Sequence, residues 1–170
     1  MAPPPQISGT ANLSKPRAAM KKLLTRFALV LLVLLLAAQL VPVERTNPPV
    51  KSEILAPTDV QAVLERSCFD CHSNRTRWPW YSRVAPASWF VARHVREARE
   101  DLNLTEWPLM DAEAQQFFLG EMKQQLEAGN MPLDSYLLLH WGARLNDAER
   151  ELLLTWIDEE IDLLTGACFP

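Results

Sequence analysis

Cys68-Phe69-Asp70-Cys71-His72 gathers two thiols and an imidazole in one short run. Two thiols three residues apart share one side of a helical turn. Both can then form thioethers with the vinyl groups of a single porphyrin, and the imidazole next in line falls under the iron as proximal ligand. Two rivals use the same residue types. A zinc site needs three or four ligands, which Cys68, Cys71, His72 and Cys168 would have to supply, and adjacent Cys71 and His72 strain to reach one ion. A redox Cys-x-x-Cys belongs at a strand–helix junction in a βαβ setting, and no strand pattern flanks this one. One covalently attached haem c is the reading that uses all three side chains. Cys168 is left without an assigned role.

The candidates for the sixth iron position are Met110, Met122, Met131, His94 and His140. Met122 and His94 fall within helical patterns, and Met110 directly precedes a helix cap. Met131 stands in the loop Gly129-Asn130-Met131-Pro132, where Gly129 lets the chain turn and Pro132 stiffens it beside the sulfur. A thioether there suits an iron already bound by histidine, and His/Met ligation raises the reduction potential. His140, in Leu137-Leu138-Leu139-His140-Trp141, is the runner-up. After the motif, Arg75, Arg77, Trp78, Trp80, Tyr81 and Trp89 form a dense amphipathic run. They are expected to close the haem pocket, with Trp78, Tyr81 and Trp89 as its walls and the arginines available to the propionates.

The elements that must position these groups read as helices. Thr58 with Gln61 has the form of a capping box, followed by Val60, Val63 and Leu64 at helical spacing. A second helix is predicted from about Ser88 to Leu102, with Val91, Val95, Ala98 and Leu102 on one face. A third begins at Asp111, carries Ala114, Phe118, Met122 and Leu126, and stops at Gly129-Asn130. A fourth begins at Asn146, with Glu149 completing a capping box, and ends at Gly166. No stretch alternates with period two, so the haem-binding domain over 58–165 is predicted to be all-α.

Upstream lies a different kind of chain. Residues 1–22 are Pro- and Ala-rich and basic, and read as a cytoplasmic tail. Phe27 to Val41 is apolar except for Gln39, and extension to Leu23 brings in Thr25 and Arg26. The segment 23–41 is therefore expected to be a transmembrane anchor or a cleaved signal, with its cationic flank in the cytoplasm and the domain in the periplasm. Residues 42–57, with four prolines, are expected to be an extended spacer. Beyond residue 41 the chain has twelve Lys/Arg against twenty-one Asp/Glu, a formal net charge of −9. Such a surface disfavours nucleic acid and suits a redox protein partner with a basic face.

Cys68–His72, Ser73-Asn74, Thr76, Trp78-Pro79-Trp80-Tyr81-Ser82, Ala85-Pro86 and Ser88-Trp89 together resemble the bacterial haem-binding domain family. The likeness continues through Met131-Pro132, Tyr136, Leu139-His140 and Ala143-Arg144-Leu145. It departs at Leu133 and Trp141, where the family pattern has proline. The resemblance implies a cytochrome c-like fold in which Cys68 and Cys71 attach haem, His72 is the proximal ligand and Met131 the distal one. With both axial positions filled, the expected role is electron transfer rather than catalysis. The alternatives are a haem-based sensor or gas binder with a labile sixth ligand and, more distantly, a peroxidase-like enzyme, for which no distal His/Arg pair stands out.

Overall fold

The computed structural model describes residues 14–166. Cys168 and the first part of the basic tail over 1–22 lie outside them. Among the described residues every regular element is helical, as the patterning predicts. The α-helices are α1 (Ser14–Ala38), α2 (Thr58–Ser67), α3 (Phe69–His72), α4 (Ala87–Asp101), α5 (Ala112–Glu127), α6 (Asp134–Leu137) and α7 (Asp147–Thr165). Short 3-10 turns at Trp80–Arg83, Trp107–Leu109 and Trp141–Ala143 join them. The chain divides into two compact units, Met1–Pro42 and Val43–Pro170.

The first unit is built on α1. Among the described residues no helix is long and apolar enough to cross a membrane, so the transmembrane helix expected over 23–41 is not found as such. The physical reason is length. Lys21, Lys22 and Arg26 occupy the start of the apolar stretch, and α1 ends at Ala38. The uncharged turns from Phe27 to Ala38 reach about 18 Å, against a hydrocarbon core of about 30 Å.

In the second unit α7 packs against α5 and α2, and α3 packs between α2 and α4. Leu64, Leu119, Leu153 and Ile157 are fully buried where α2, α5 and α7 meet, joined by Val60, Phe69, Leu104, Leu126 and Trp156. The helix ends follow from their residues. The Asn146 side chain accepts from the Glu149 backbone N–H while the Glu149 carboxylate accepts from the Asn146 N–H, the predicted capping box. Asp111 caps α5 by accepting from Ala114 N–H at 2.8 Å. The box expected at Thr58 and Gln61 does not form. Pro57 stands at the N-cap and makes no side-chain cap, which leaves Thr58 as the first helical residue.

The segment 42–57 is extended, but it is bound to the domain and does not act as a free spacer. Arg45 donates to Ser82 O at 3.1 Å, and Asn47 donates to Thr76 O at 2.9 Å. Arg99 donates to Thr46 O at 2.9 Å and to Asn47 Oδ1 at 3.0 Å. Ile54 is buried, with its N–H on Leu104 O at 2.9 Å. The domain therefore begins before residue 58, because this strap supplies part of its core.

Candidate cofactor site

Ser67 and Cys68 carry the chain from α2 straight into the single turn of α3. The N–H groups of Cys71 and His72 both donate to Cys68 O, at 3.1 and 2.9 Å. One turn thus holds both thiols and the imidazole. Ser73 closes it by donating its hydroxyl to Phe69 O at 2.6 Å.

His72 is held from two directions by the chain leaving α4. Its backbone O accepts from Leu104 N–H at 2.8 Å, and its Nδ1 lies 3.1 Å from Leu102 O. A carbonyl only accepts, so Nδ1 carries the proton and Nε2 keeps its lone pair free. This is the tautomer a metal-ligating histidine needs, fixed by a backbone partner. Burial lowers the His72 pKa, which favours the neutral ring. A buried polar network locks the neighbouring loops together. Asn74 N–H donates to Thr105 Oγ1 at 2.9 Å, Asn103 Nδ2 to Asn74 Oδ1 at 2.9 Å, and Thr105 Oγ1 to Asn103 Oδ1 at 2.7 Å. Sequence reasoning missed this network, since Asn and Thr near a helix end read as ordinary loop residues.

A cavity of about 660 Å³ opens beside the turn and is lined by Cys68, His72 and Met131. Its volume falls in the range of cofactor sites. Most of the wall is apolar and comes from Leu102 and Leu104, from Phe117, Phe118 and Met122 of α5, and from Leu145 and Leu153. Met131 reaches it by way of a Schellman turn. Gly129 N–H donates to Leu126 O and Asn130 N–H to Gln125 O, with Gly129 at φ 69°. Met122 lines the same cavity but packs into the hydrophobic core, whereas Met131 does not.

Other candidates lie elsewhere. Cys71 shares the turn but does not line this cavity. His94 turns Nδ1 back onto Phe90 O, and His140 stacks on Tyr136. Met110 packs against the core. Trp78, Tyr81 and Trp89, expected as aromatic walls, are not among the residues lining this cavity. Trp78 Nε1 lies 3.2 Å from Asn47 Oδ1 on the strap, Tyr81 Oη meets the His140 ring at 3.4 Å, and Trp89 is partly exposed. The 3-10 turn Trp80–Arg83 that follows Trp78 packs against α4. The arginines are committed too, Arg75 to Glu53 at 2.7 Å and Arg77 to Asp70 at 3.1 Å. The charged residues lining the cavity are Glu100, Asp101 and Glu121, with no Lys or Arg among the lining residues. The residues that do line it were legible only as a core stripe: Phe118, Met122 and Leu126 recur every four positions along α5.

Both thiols are free. Burial pushes the Cys68 thiol up to about 12 and the Cys71 thiol up to about 11. Reactive redox cysteines are shifted the other way. Among the described residues no group of three or more His, Cys, Asp or Glu side chains could hold a metal ion directly. The donor set instead fits a c-type haem, with two thiols on one turn, a free imidazole Nε2, a thioether lining the same apolar cavity and an unpartnered Ser67 hydroxyl in its wall.

A family model described as a haem-binding domain matches residues 33–159. The cytochrome c peroxidase Ccp of Escherichia coli (strain K12) is 25% identical over 99 residues, which cover 56% of this chain and 21% of that protein. The chain thus spans about a fifth of that relative's length. No solved structure matches significantly.

Proposed function

Because the chain belongs to the haem-binding domain family, we propose that it is a monohaem c-type cytochrome that transfers electrons on the outer side of the cytoplasmic membrane. The observation that carries this reading is that Cys68, His72 and Met131 line one apolar cavity. Cys68 and Cys71 would hold the haem through thioethers, with His72 Nε2 and the Met131 sulfur as axial donors. When bound, the group supplies a one-electron iron couple. The protein's part is to exclude water with the leucine and phenylalanine wall, to fix the imidazole through Leu102 O, and to hold the thioether in place. With both donors from the chain on the iron, no position would be left for a substrate, which supports a carrier over an enzyme. Glu100, Asp101 and Glu121 at the cavity's exposed rim would favour the oxidised state of a bound iron. The acidic surface suits a brief, salt-sensitive encounter with a basic redox partner.

Export follows from the cationic flank and the 23–41 segment. Its apolar run has the length of a signal core, and it serves as an export signal or a membrane-associating segment. The relative's peroxidase activity is not carried over, since the likeness reaches a fifth of its length.

The test is expression of the full chain in a host that matures c-type cytochromes. The expected product carries the mass of one haem that survives denaturation. Its oxidised form shows the methionine-to-iron charge-transfer band, and its reduced form is indifferent to carbon monoxide. Met131→Ala should abolish the band with haem retained, and Met122→Ala should keep it. Rapid carbon monoxide binding by the native protein would overturn the carrier reading in favour of a sensor. Absence of covalent haem would overturn both.

A further inference from the structure

Asp70 lies between the two haem-attaching cysteines, yet it does not line the cavity. Its carboxylate accepts from Arg77, through the backbone N–H and Nε, both at 3.1 Å. The other oxygen, Oδ2, accepts from the Tyr136 hydroxyl at 2.9 Å. The Asp70 side chain is only 14% exposed, so solvent competes weakly for these bonds. Tyr136 belongs to α6, which begins just after Met131-Pro132-Leu133. Its ring stacks on His140 at 4.1 Å with 9° between the planes. Apart from that, α6 packs chiefly against the neighbouring 3-10 turn Trp141–Ala143. The Tyr136–Asp70 bond therefore crosses from the helix that follows the Met131 loop to the turn that bears both cysteines.

We propose that Tyr136 and Asp70 form a latch that positions Met131 as the sixth ligand. The inference rests on the reading of Met131 as that ligand. Met131 is bracketed by two anchors, the Schellman turn at Gly129 before it and the Tyr136–Asp70 bond after it. With both closed, the sulfur has little freedom to lose on ligation. With the second open, the loop gains conformations in which Met131 stands away from the iron. Tyr136 is a positioning residue, because it too does not line the cavity.

Tyr136→Phe removes the hydroxyl and keeps the ring that stacks on His140. The haem-loaded full chain is titrated in its oxidised form with imidazole, which binds only when Met131 leaves, and the charge-transfer band reports the exchange. Loss of a hydrogen bond to a carboxylate should raise the apparent imidazole affinity roughly tenfold to a hundredfold, with haem content unchanged. Asp70→Asn added to Tyr136→Phe should change less than Asp70→Asn alone, because the Tyr136–Asp70 bond is then already gone and only the Arg77 contacts of Asp70 remain to be altered. An unchanged imidazole affinity in Tyr136→Phe, where Met131→Ala takes imidazole freely, overturns the latch and leaves Met131 as ligand. Survival of the charge-transfer band in Met131→Ala overturns the ligand assignment, and the latch with it.

Discussion

Arg99 offers the sharpest test of how the haem turn is held. Its guanidinium donates to Ser73 O at 2.8 Å, to Thr76 Oγ1 at 2.8 Å, to Thr46 O at 2.9 Å and to Asn47 Oδ1 at 3.0 Å. Ser73 and Thr76 are buried and follow directly on His72. Thr46 and Asn47 lie in the strap. One side chain on α4 thus ties the strap to the haem turn. Arg99→Met keeps the apolar stem and removes all four bonds. The two half-buried bonds contribute about 1–1.5 kcal/mol each and the two exposed ones a few tenths each, so the loss should be about 3 kcal/mol. For a domain of this size that lowers Tm by about 10 °C. Arg99→Lys keeps the charge but not the planar fork, and should recover less than half of the loss. Differential scanning calorimetry of the haem-loaded protein measures the shift. Trypsin cleavage at Arg45 and Lys51 should quicken at the same time, because the strap loses two of its bonds. If Arg99→Met melts within about 2 °C of the native protein and is cut no faster, the clamp is not what holds strap and turn together.

Further perturbations probe separate parts of the fold. Leu119→Ala, at a fully buried position of α5, should cost about 2–5 kcal/mol in denaturant unfolding, because the close-packed helices around it cannot collapse onto the cavity. Asn146→Ala should cost about 1 kcal/mol in the same assay through loss of the α7 cap. Arg66, and then the Asn146 N–H, hold the Glu149 carboxyl below its usual pKa. Its stabilising effect is therefore complete above the ordinary carboxylate value of about 4.3 and is lost as pH falls through the lowered one. Melting curves of native protein and Glu149→Gln should differ at pH 7 and converge in strong acid. Gly129→Ala should cost about 1 kcal/mol, since Gly129 sits at φ 69°. It should also loosen the Met131 loop, read as carbon monoxide binding by the reduced variant where the reduced native protein stays indifferent.

Much of the fold was legible because helix ends and helix faces are local chemistry. Asn146 with Glu149, Asp111, and Gly129-Asn130 mark their boundaries through bonds within a few residues. The Thr58 box failed for an equally local reason, since Pro57 took the capping position. The strap was misread because proline-rich composition describes the backbone's stiffness and not what lies beside it. Asn47 looks like a linker residue until Thr76, Trp78 and Arg99 are brought to it. The lining of the cavity beside Cys68 was out of reach of the sequence for the same reason. Trp78, Tyr81 and Trp89 are close to the motif in sequence, and chain proximity is a poor guide to which side of a turn a ring occupies.

The sequence by itself determined the helical class and brought two thiols and an imidazole into one short run. The spacing of the two thiols, the following imidazole and the 3.6-residue stripes are properties of neighbouring residues and hold wherever the chain goes. Only the tertiary structure decided what surrounds that chemistry. It set Leu102 O on Nδ1 of His72, placed Met131 on the cavity that holds Cys68, raised a wall from α5 and α7, and joined Asp70 to Tyr136. These pairings bring together groups tens of residues apart. Their free energy depends on burial and on which backbone groups remain without partners, and both are settled only when the helices pack.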